Sequence, residues 1–456
     1  MDQSIPSTTE QSAGNPAEPP WPSPSVGWYA VGVFALALMV AILDRGIITL
    51  LVEPIKRDLK LTDTQFSALV GFAFVFFYAF LGLPLSRLVD TKSRRVIIAA
   101  GIASWSVMTA LCGVAQNFWQ LFLFRVGVGA GESINGPATY SMIADLFPHA
   151  KLPRAIAVLN FGFVAGLGFS LLAGALVIHV LKDVPDIAVP LIGTIRNWQL
   201  VFLAIALPGL LVAVLATTVP EPLRRGLTTK GPQRSLPLRD VVRFLIQNRK
   251  VYGPMFLGLG TNTVYVFGMI AWQPAFFFRS FGWAPQKYAV IFGCLSLVTS
   301  SAGLVIGTML AEWLHRKGHD DANIRVLVIS YICAAPFAIL GPLMPNPWLA
   351  LACAGMLSMV GLMAAPAQNA AIQIITPNQM RGQVTALFLF VFAVVGSGGG
   401  PTFVAAIADY VLHSEARINY ALAISAGLLA PLSAVIVALG LKAYGRRVGE
   451  LRLAAG

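Results

Sequence analysis

Four ionisable residues stand where an apolar chain should not hold them. Asp44 and Arg45 are neighbours in VAILDRGIITLL, Val40 to Leu51, and Arg125 and Glu132 lie seven apart in RVGVGAGE. An ionisable residue at the centre of a membrane helix costs about 2.5–3.5 kcal/mol on insertion scales. Acids beside guanidinium groups in an apolar interior can take up and release protons. Burial favours the protonated form of a carboxyl and a neighbouring Arg favours the ionised form, so an Arg that moves away switches proton affinity. The same guanidinium can bind an anionic headgroup, because its fork matches carboxylate and phosphate. A fixed structural ion pair is the bland alternative for Asp44, Arg45 and Glu132 alike.

The spacing says how these groups meet. Arg125, Glu132 and Thr139 recur every seven residues and fall near one face of a helix, with Asn135 and Gly136 between the last two. The opposite face is Val, Leu and Phe, so the polar stripe should face a protein interior or cavity. Gly127, Gly129 and Gly131 allow a neighbouring helix to approach closely. Asp44 and Arg45 point about 100° apart on a helix and cannot pair well with each other. Arg45 is therefore expected to pair with Glu132, while Asp44 takes a second partner or a proton. Arg125 is expected to bond backbone carbonyls and fix its helix.

The elements that must position these groups are membrane helices. The 456 residues are 57% hydrophobic and 11% charged, with mean hydropathy +0.74, whereas a soluble domain carries roughly 25% charged residues. About 20 apolar residues span a bilayer, and twelve stretches qualify: 28–50, 64–89, 96–115, 118–146, 154–181, 198–219, 251–278, 286–314, 325–344, 347–375, 383–412 and 417–443. The expected fold class is an all-α membrane protein of twelve transmembrane helices. Residues 1–27, rich in Pro and Ser and without Lys or Arg, lack a signal-peptide pattern and read as a disordered tail. The net charge of +12 is topological. Of 32 Lys and Arg, 22 fall in the loops after the even-numbered spans and in the C-terminal tail, and eight fall on the other side. By the positive-inside rule both termini are cytoplasmic. Nucleic acid is therefore not the expected partner; anionic membrane lipid is. Cys112, Cys294, Cys333 and Cys353 sit in apolar stretches without CxxC or Cys/His spacing, so no metal or disulfide is expected. The lack of an Asn-x-Ser/Thr sequon agrees with a bacterial source and an inner-membrane location.

The chain also divides. Residues 220–250 form the longest polar interruption and hold eight Lys and Arg. The expected organisation is tail 1–27, six-helix bundle 28–219, basic cytoplasmic linker 220–250, six-helix bundle 251–445 and tail 446–456. The halves echo one another: Pro54 with Pro274, Gly82 with Gly307 and Arg154 with Arg381, at offsets of 220, 225 and 227. Two parallel six-helix halves with a site between them near the midplane is transporter architecture.

Three stretches carry a family resemblance. SRLVDTKSRR, Ser86 to Arg95, resembles the GxxxDRxGRR motif of the major facilitator superfamily; Asp90, Arg94 and Arg95 match, and Ser86, Thr91 and Ser93 depart. RVGVGAGE resembles that superfamily's RxxxGxG motif. The added Glu132 and the Asp44–Arg45 pair resemble the spinster branch, which shows RxxxGxGE in its fourth helix and Asp-Arg in its first. Gly46 departs, since many members have an aromatic there. The resemblance covers residues 28–445 and implies a secondary transporter. Animal spinster proteins export or salvage sphingosine phosphates and lysophospholipids; bacterial members are mostly of unknown substrate. The pattern also implies that Asp90 faces the N-terminus of the eleventh helix near Arg381, where the helix dipole is positive, and holds the cytoplasmic side shut. Arg94 and Arg95 are read as topogenic charges that share this latch.

The second half offers neutral polar groups instead of buried charge: Thr261, Asn262, Tyr265, Gln273, Gln368, Asn369 and Gln373. The expected substrate contacts are Arg45, Glu132, Asn135 and Thr139 from one half and Asn262, Tyr265, Gln368 and Asn369 from the other. Helix-to-helix hydrogen bonding is the alternative for each neutral residue, as for Asn160 and His179. GSGGGP, Gly396 to Pro401, leaves both hinge and packing open. With no Walker motif, HExxH or GxSxG, no enzyme activity, catalytic residue or cofactor is expected. The expected activity is proton-coupled movement of an amphipathic or lipid-like molecule by a monomer. A drug or small organic-anion transporter of the same fold is the nearest rival, and a transport-inactive sensor or scaffold is the rival of another class.

Overall fold

The computed structural model of the protein describes residues 21–75, 77–78, 80, 92–148, 151–190, 193–224, 238–377 and 380–455. The first half holds α1 (Pro24–Leu50), α2 (Val52–Leu59), α3 (Asp63–Val70), α4 (Arg94–Cys112), α5 (Phe118–Ser133), α6 (Asn135–Leu146), α7 (Leu152–Leu181) and α8 (Asn197–Thr218). The second holds α9 (Leu238–Gln247), α10 (Arg249–Phe281), α11 (Pro285–Arg316), α12 (Ala322–Leu340), α13 (Pro347–Ile375), α14 (Arg381–Val391), α15 (Gly399–Ala406), α16 (Ile418–Leu439) and α17 (Leu441–Ala455). Two strands of three residues, β1 (Ile187–Val189) and β2 (Gly193–Ile195), pair antiparallel between α7 and α8, a small addition to the expected all-α fold.

Among the described residues ten helical stretches are long and apolar enough to cross a membrane. The remaining two of the twelve expected spans are accounted for locally. Part of 64–89 lies outside the described residues. The span 118–146 is broken at Ile134 into α5 and α6. Pro137 cannot donate to the carbonyl four residues back, Ser133, and its ring crowds that carbonyl, so the helix breaks one residue later. The linker also differs from a plain loop: its residues Leu238–Gln247 form α9, and Arg249 and Lys250 already open α10. The tail expected at 446–456 belongs to α17, whose Tyr444 is buried and donates its hydroxyl to the Ala371 carbonyl at 3.3 Å.

Glycines set the closest helix approaches. A Cβ on Gly129 would lie 2.2 Å from the Phe74 carbonyl oxygen, so that position accepts no larger residue without moving the second span. Between the halves, α7 and α11 meet at Gly168 and Gly293, where a Cβ on either would come within 2.9–3.1 Å of the other's carbonyl oxygen. The halves also meet at Gly71, whose Cβ would lie 2.6 Å from the Gly398 carbonyl oxygen. That carbonyl belongs to a π-helical segment, Phe392–Gly398, followed after α15 by a second, Ile407–Val411. The start of α1, the end of α8, α9 and α17 lie at one end of the bundles, the tail side. The ends of α1, α7 and α10 lie at the other, the far side.

Candidate functional site

The expected partner of Arg45 is the one it has. Arg45 Nε donates to Glu132 Oε2 at 2.7 Å and its Nη2 lies 2.5 Å from the same oxygen. The Arg45 side chain is 39% exposed and that of Glu132 2%, so the guanidinium reaches from open space to a buried acid. Phe74 and Tyr78 face the guanidinium, with ring centroids 4.6 and 5.1 Å from its central carbon, and a cation over these rings is held without being neutralised. Asp44 turns the other way, as adjacent helix positions must. It is buried completely and accepts one hydrogen bond, from Thr109 Oγ1 on α4 at 3.3 Å. Arg125 Nη1 donates to the Asp44 carbonyl at 3.2 Å, which ties α5 to α1 through backbone.

The cluster is under-bonded. Among the described residues, Asp44 Oδ1, Glu132 Oε1 and Arg125 Nε are buried without a hydrogen-bond partner. A buried polar group left unpaired costs about 1–3 kcal/mol, more when charged. A carboxylate can only accept, whereas a protonated carboxyl also donates. Each free oxygen is therefore a place for a proton, a water or a donor on a bound molecule. The two acids and two guanidiniums balance formally, and one added proton leaves an excess positive charge beside the half-exposed Arg45.

The other sequence-nominated residues divide. Asn135 and Thr139 are buried and bond one another, Thr139 Oγ1 to Asn135 Oδ1 at 3.4 Å. Asn262 has a buried, unpartnered Oδ1. Gln368 is half-buried and Asn369 exposed. Tyr265 departs from its expected place on a cavity wall: it is packed within the hydrophobic core with Met269 and Trp272. Arg381 Nε donates to the Thr376 carbonyl just ahead of its own helix, at 3.0 Å. Asp90 lies outside the described residues.

Arg94 also departs from its expected role. It is buried, and its bonds go to Asp145 and Ser141 in the first half and to Glu221 Oε1 at 3.0 Å and the Pro222 carbonyl in the linker that follows it. It staples the tail side of one half and does not latch the two together; the sequence read it as a loop cation because its acids are 51 and 127 positions away. Glu221 is the hub. It accepts from Ser93 Oγ at 2.8 Å and from the Arg95 backbone N–H at 2.7 Å as well. Burial alone would raise its pKa, but these three donors hold it below the ordinary glutamate range. A lowered native value stabilises the fold above the unfolded value and is lost as pH falls through the native one. Glu221→Gln should lower the melting midpoint by about 2 °C at neutral pH. The gap to the unaltered protein should close on acidification, which thermal melts across pH will check; a gap that persists in acid contradicts the assignment.

A second ionic network, which the sequence did not reveal, joins the halves at the far side. Arg279, at the end of α10, donates to both oxygens of Asp63 at 2.7 and 2.9 Å and to Glu53 Oε1 at 2.7 Å. Lys56 bonds Asp63 as well and reaches Glu415 Oε2 at 2.5 Å. Asp409 accepts from the Thr64 backbone N–H at 2.9 Å and from its hydroxyl at 2.7 Å, so an acid of the second half caps a helix of the first. Asp63 and Lys56 are buried. Asp63, Asp409 and Glu415 bring their oxygens within 4.8 Å of one another, but Lys56 lies between two of these acids and Arg279 grips Asp63, which supplies the positive charge from the chain itself.

Two helical bundles, with buried charge inside the first and ion pairs joining the two at one end, form the architecture of a membrane transporter. Residues 34–401 match the Major Facilitator Superfamily, and the chain belongs to that family. It is 28% identical over 394 residues to an MFS-type efflux pump of Mycolicibacterium smegmatis, covering 85% of each chain. It is 27% identical over 397 residues to protein spinster homolog 1 of Xenopus tropicalis, covering 82% of this chain and 71% of that one. Its fold is similar to the crystal structure of a bacterial homologue of the human lysosomal transporter Spinster, in an inward-facing and unoccupied conformation. That match has a TM-score of 0.75 at 22% identity, over 94% of this chain and 98% of the other.

Proposed function

We propose that this spinster-like transporter moves an amphipathic molecule with an anionic or zwitterionic head, coupled to protons, by alternating access. The observation that carries this reading is the half-exposed Arg45 paired with the buried Glu132 beside the buried, under-bonded Asp44. The head docks on Arg45 and competes with Glu132 for it; Glu132 or Asp44 then takes a proton, and the pair re-forms when the cargo leaves. The tail lies on the second half, whose polar side chains here are neutral. Burying apolar tail surface contributes roughly 25 cal/mol per Å². The charge bias of the loops supports a reading with both termini in the cytoplasm of a bacterial inner membrane, in which the far side is periplasmic and its ion pairs form the outer gate. A monomer suffices, since both walls of the site come from one chain.

One observation favours a second cargo. A relative that matches most of the chain bears the name of an efflux pump, and two buried acids could receive a hydrophobic cation. Thermal-shift competition between single-chain lipid-like anions and hydrophobic cations, with and without Arg45→Ala, separates the two. Anions should stabilise the unaltered protein and lose at least about tenfold in affinity in Arg45→Ala, the worth of one charge-assisted contact. Stabilisation by cations alone, or anion binding indifferent to the loss of Arg45, would sink the headgroup reading. Proton flux in liposomes that depends on added cargo separates a transporter from a sensor.

A further inference from the structure

A basic cleft of about 600 Å³ opens on the tail side, between the α9–α10 junction and α17. Arg249, Lys250, Arg446 and Arg447 line it, with Glu450 as the one carboxylate. Among the described residues Arg447 pairs with Glu450 at 3.3 Å, and Arg249, Lys250 and Arg446 bond no acid. Three unpaired cations gathered around one space repel each other and call for an anion from outside the chain.

Position and surroundings say which anion. Arg249 and Lys250 open α10, and Val251 after them is already buried in the bundle, so the cleft sits at the level where the chain enters the membrane. α9 lies against the bundle by its buried Val241 and leaves Val242 and Ile246, one turn apart, 40% and 58% exposed. Ile246 also lines the cleft. Cations that match phosphate oxygens thus stand beside an apolar rim at headgroup depth. A free phosphate would use the cations and leave the rim idle; a glycerophospholipid uses both. The volume falls within the 300–1,000 Å³ typical of small-ligand sites.

We infer that this cleft binds the headgroup of an anionic glycerophospholipid from the tail-side leaflet, fastening the linker helix and α17 to the second half. The inference does not depend on the cargo proposed above. Delipidated full-length protein in detergent, examined by native mass spectrometry with phosphatidylglycerol or phosphatidylcholine, tests it. The unaltered protein should retain phosphatidylglycerol over phosphatidylcholine by roughly tenfold, given the attraction of clustered cations for anionic lipid. Arg249→Gln/Lys250→Gln/Arg446→Gln/Arg447→Gln should erase that preference. The pair Arg446→Gln/Arg447→Gln should weaken it by an intermediate factor if the fourfold variant fails to fold. Lys182→Gln/Arg417→Gln, which removes two exposed far-side cations, should leave it intact. Equal retention of the two lipids, an undiminished preference in the variants, or an equal loss in the far-side control overturns the inference. So does millimolar inorganic phosphate displacing the lipid fully, since the site would then be one for phosphate.

Discussion

Glu132→Gln is expected to abolish transport driven by a pH gradient while leaving the protein folded. The amide keeps the size of the acid and an oxygen for Arg45 to bond, so α5 stays in place against α1. What it loses is ionisation. Arg45 then keeps a neutral hydrogen bond in place of a charge-assisted one, a difference of about 1–2 kcal/mol that a multi-helix bundle tolerates. Proteoliposomes with and without an imposed pH gradient provide the measurement. The unaltered protein should respond to the gradient and Glu132→Gln should not, while exchange of cargo at equal pH persists in both. A gradient response within about twofold of the unaltered protein would remove Glu132 from the proton path, since loss of an essential acid–base group costs on the order of 10²-fold or more. Asp44→Asn in the same assay then tells whether the fully buried acid, bonded by Thr109, carries the proton.

Asp63→Asn is expected to open the far side. Asp63 is wholly buried between Lys56 and Arg279. Removing one member of a buried ion pair costs about 3–5 kcal/mol because the partner charges stay behind without compensation. Glu53 and Glu415 remain on those cations, so the loss falls toward the lower figure, still roughly a hundredfold in population. The Arg279 share is lost from the closed arrangement alone, because that pair crosses between the halves, whereas Lys56–Asp63 lies within the first half. Spin labels at the exposed Arg57 and Arg417 report the opening by double electron–electron resonance. The short-distance population of the unaltered protein should give way to a longer one. An unchanged distribution would show that packing at Gly71 and Gly168, not charge, holds this end. Added salt should not imitate the substitution, because buried pairs are screened little.

The two ionic sites were unequally legible, and the reason is distance along the chain. Arg45 and Glu132 each stood out as a charge inside an apolar run, and the 100° step from Asp44 left Arg45 in need of a partner on another helix. Arg279 and Lys56 stood beside spans, where charges are ordinary, and the acids they reach across the halves, Asp63 and Glu415, are 216 and 359 positions away; only the Lys56–Asp63 pair is local. Nothing local distinguishes them from loop residues. The short helix α2 that presents Glu53 and Lys56 was hidden because it has eight residues, too few to show a period, whereas α3 falls at the start of the expected span 64–89. Pro137 was visible as a helix breaker, yet the apolar run through it read as one span. Tyr265 looked like a site residue because a hydroxyl among apolar neighbours invites that reading, whereas the ring decides its place in the core.

The π-helical segments of the eleventh span amount to stored length. A π turn closes its hydrogen bonds one residue later than an α turn, so each holds one residue that the regular helix would not. Returning one such turn to α geometry would advance the chain beyond it by one position, about 1.5 Å of rise and 100° of rotation. The upper segment, Phe392–Gly398, abuts Gly71 of the first half, and the lower one contains Asp409, the acid that caps α3. A register step in the first segment would therefore swing Asp409 off Thr64. Gly396 and Gly400 carry no side chains at this turn and lie closely against Thr263 and Val264 of α10, so any such step must carry α10 with it.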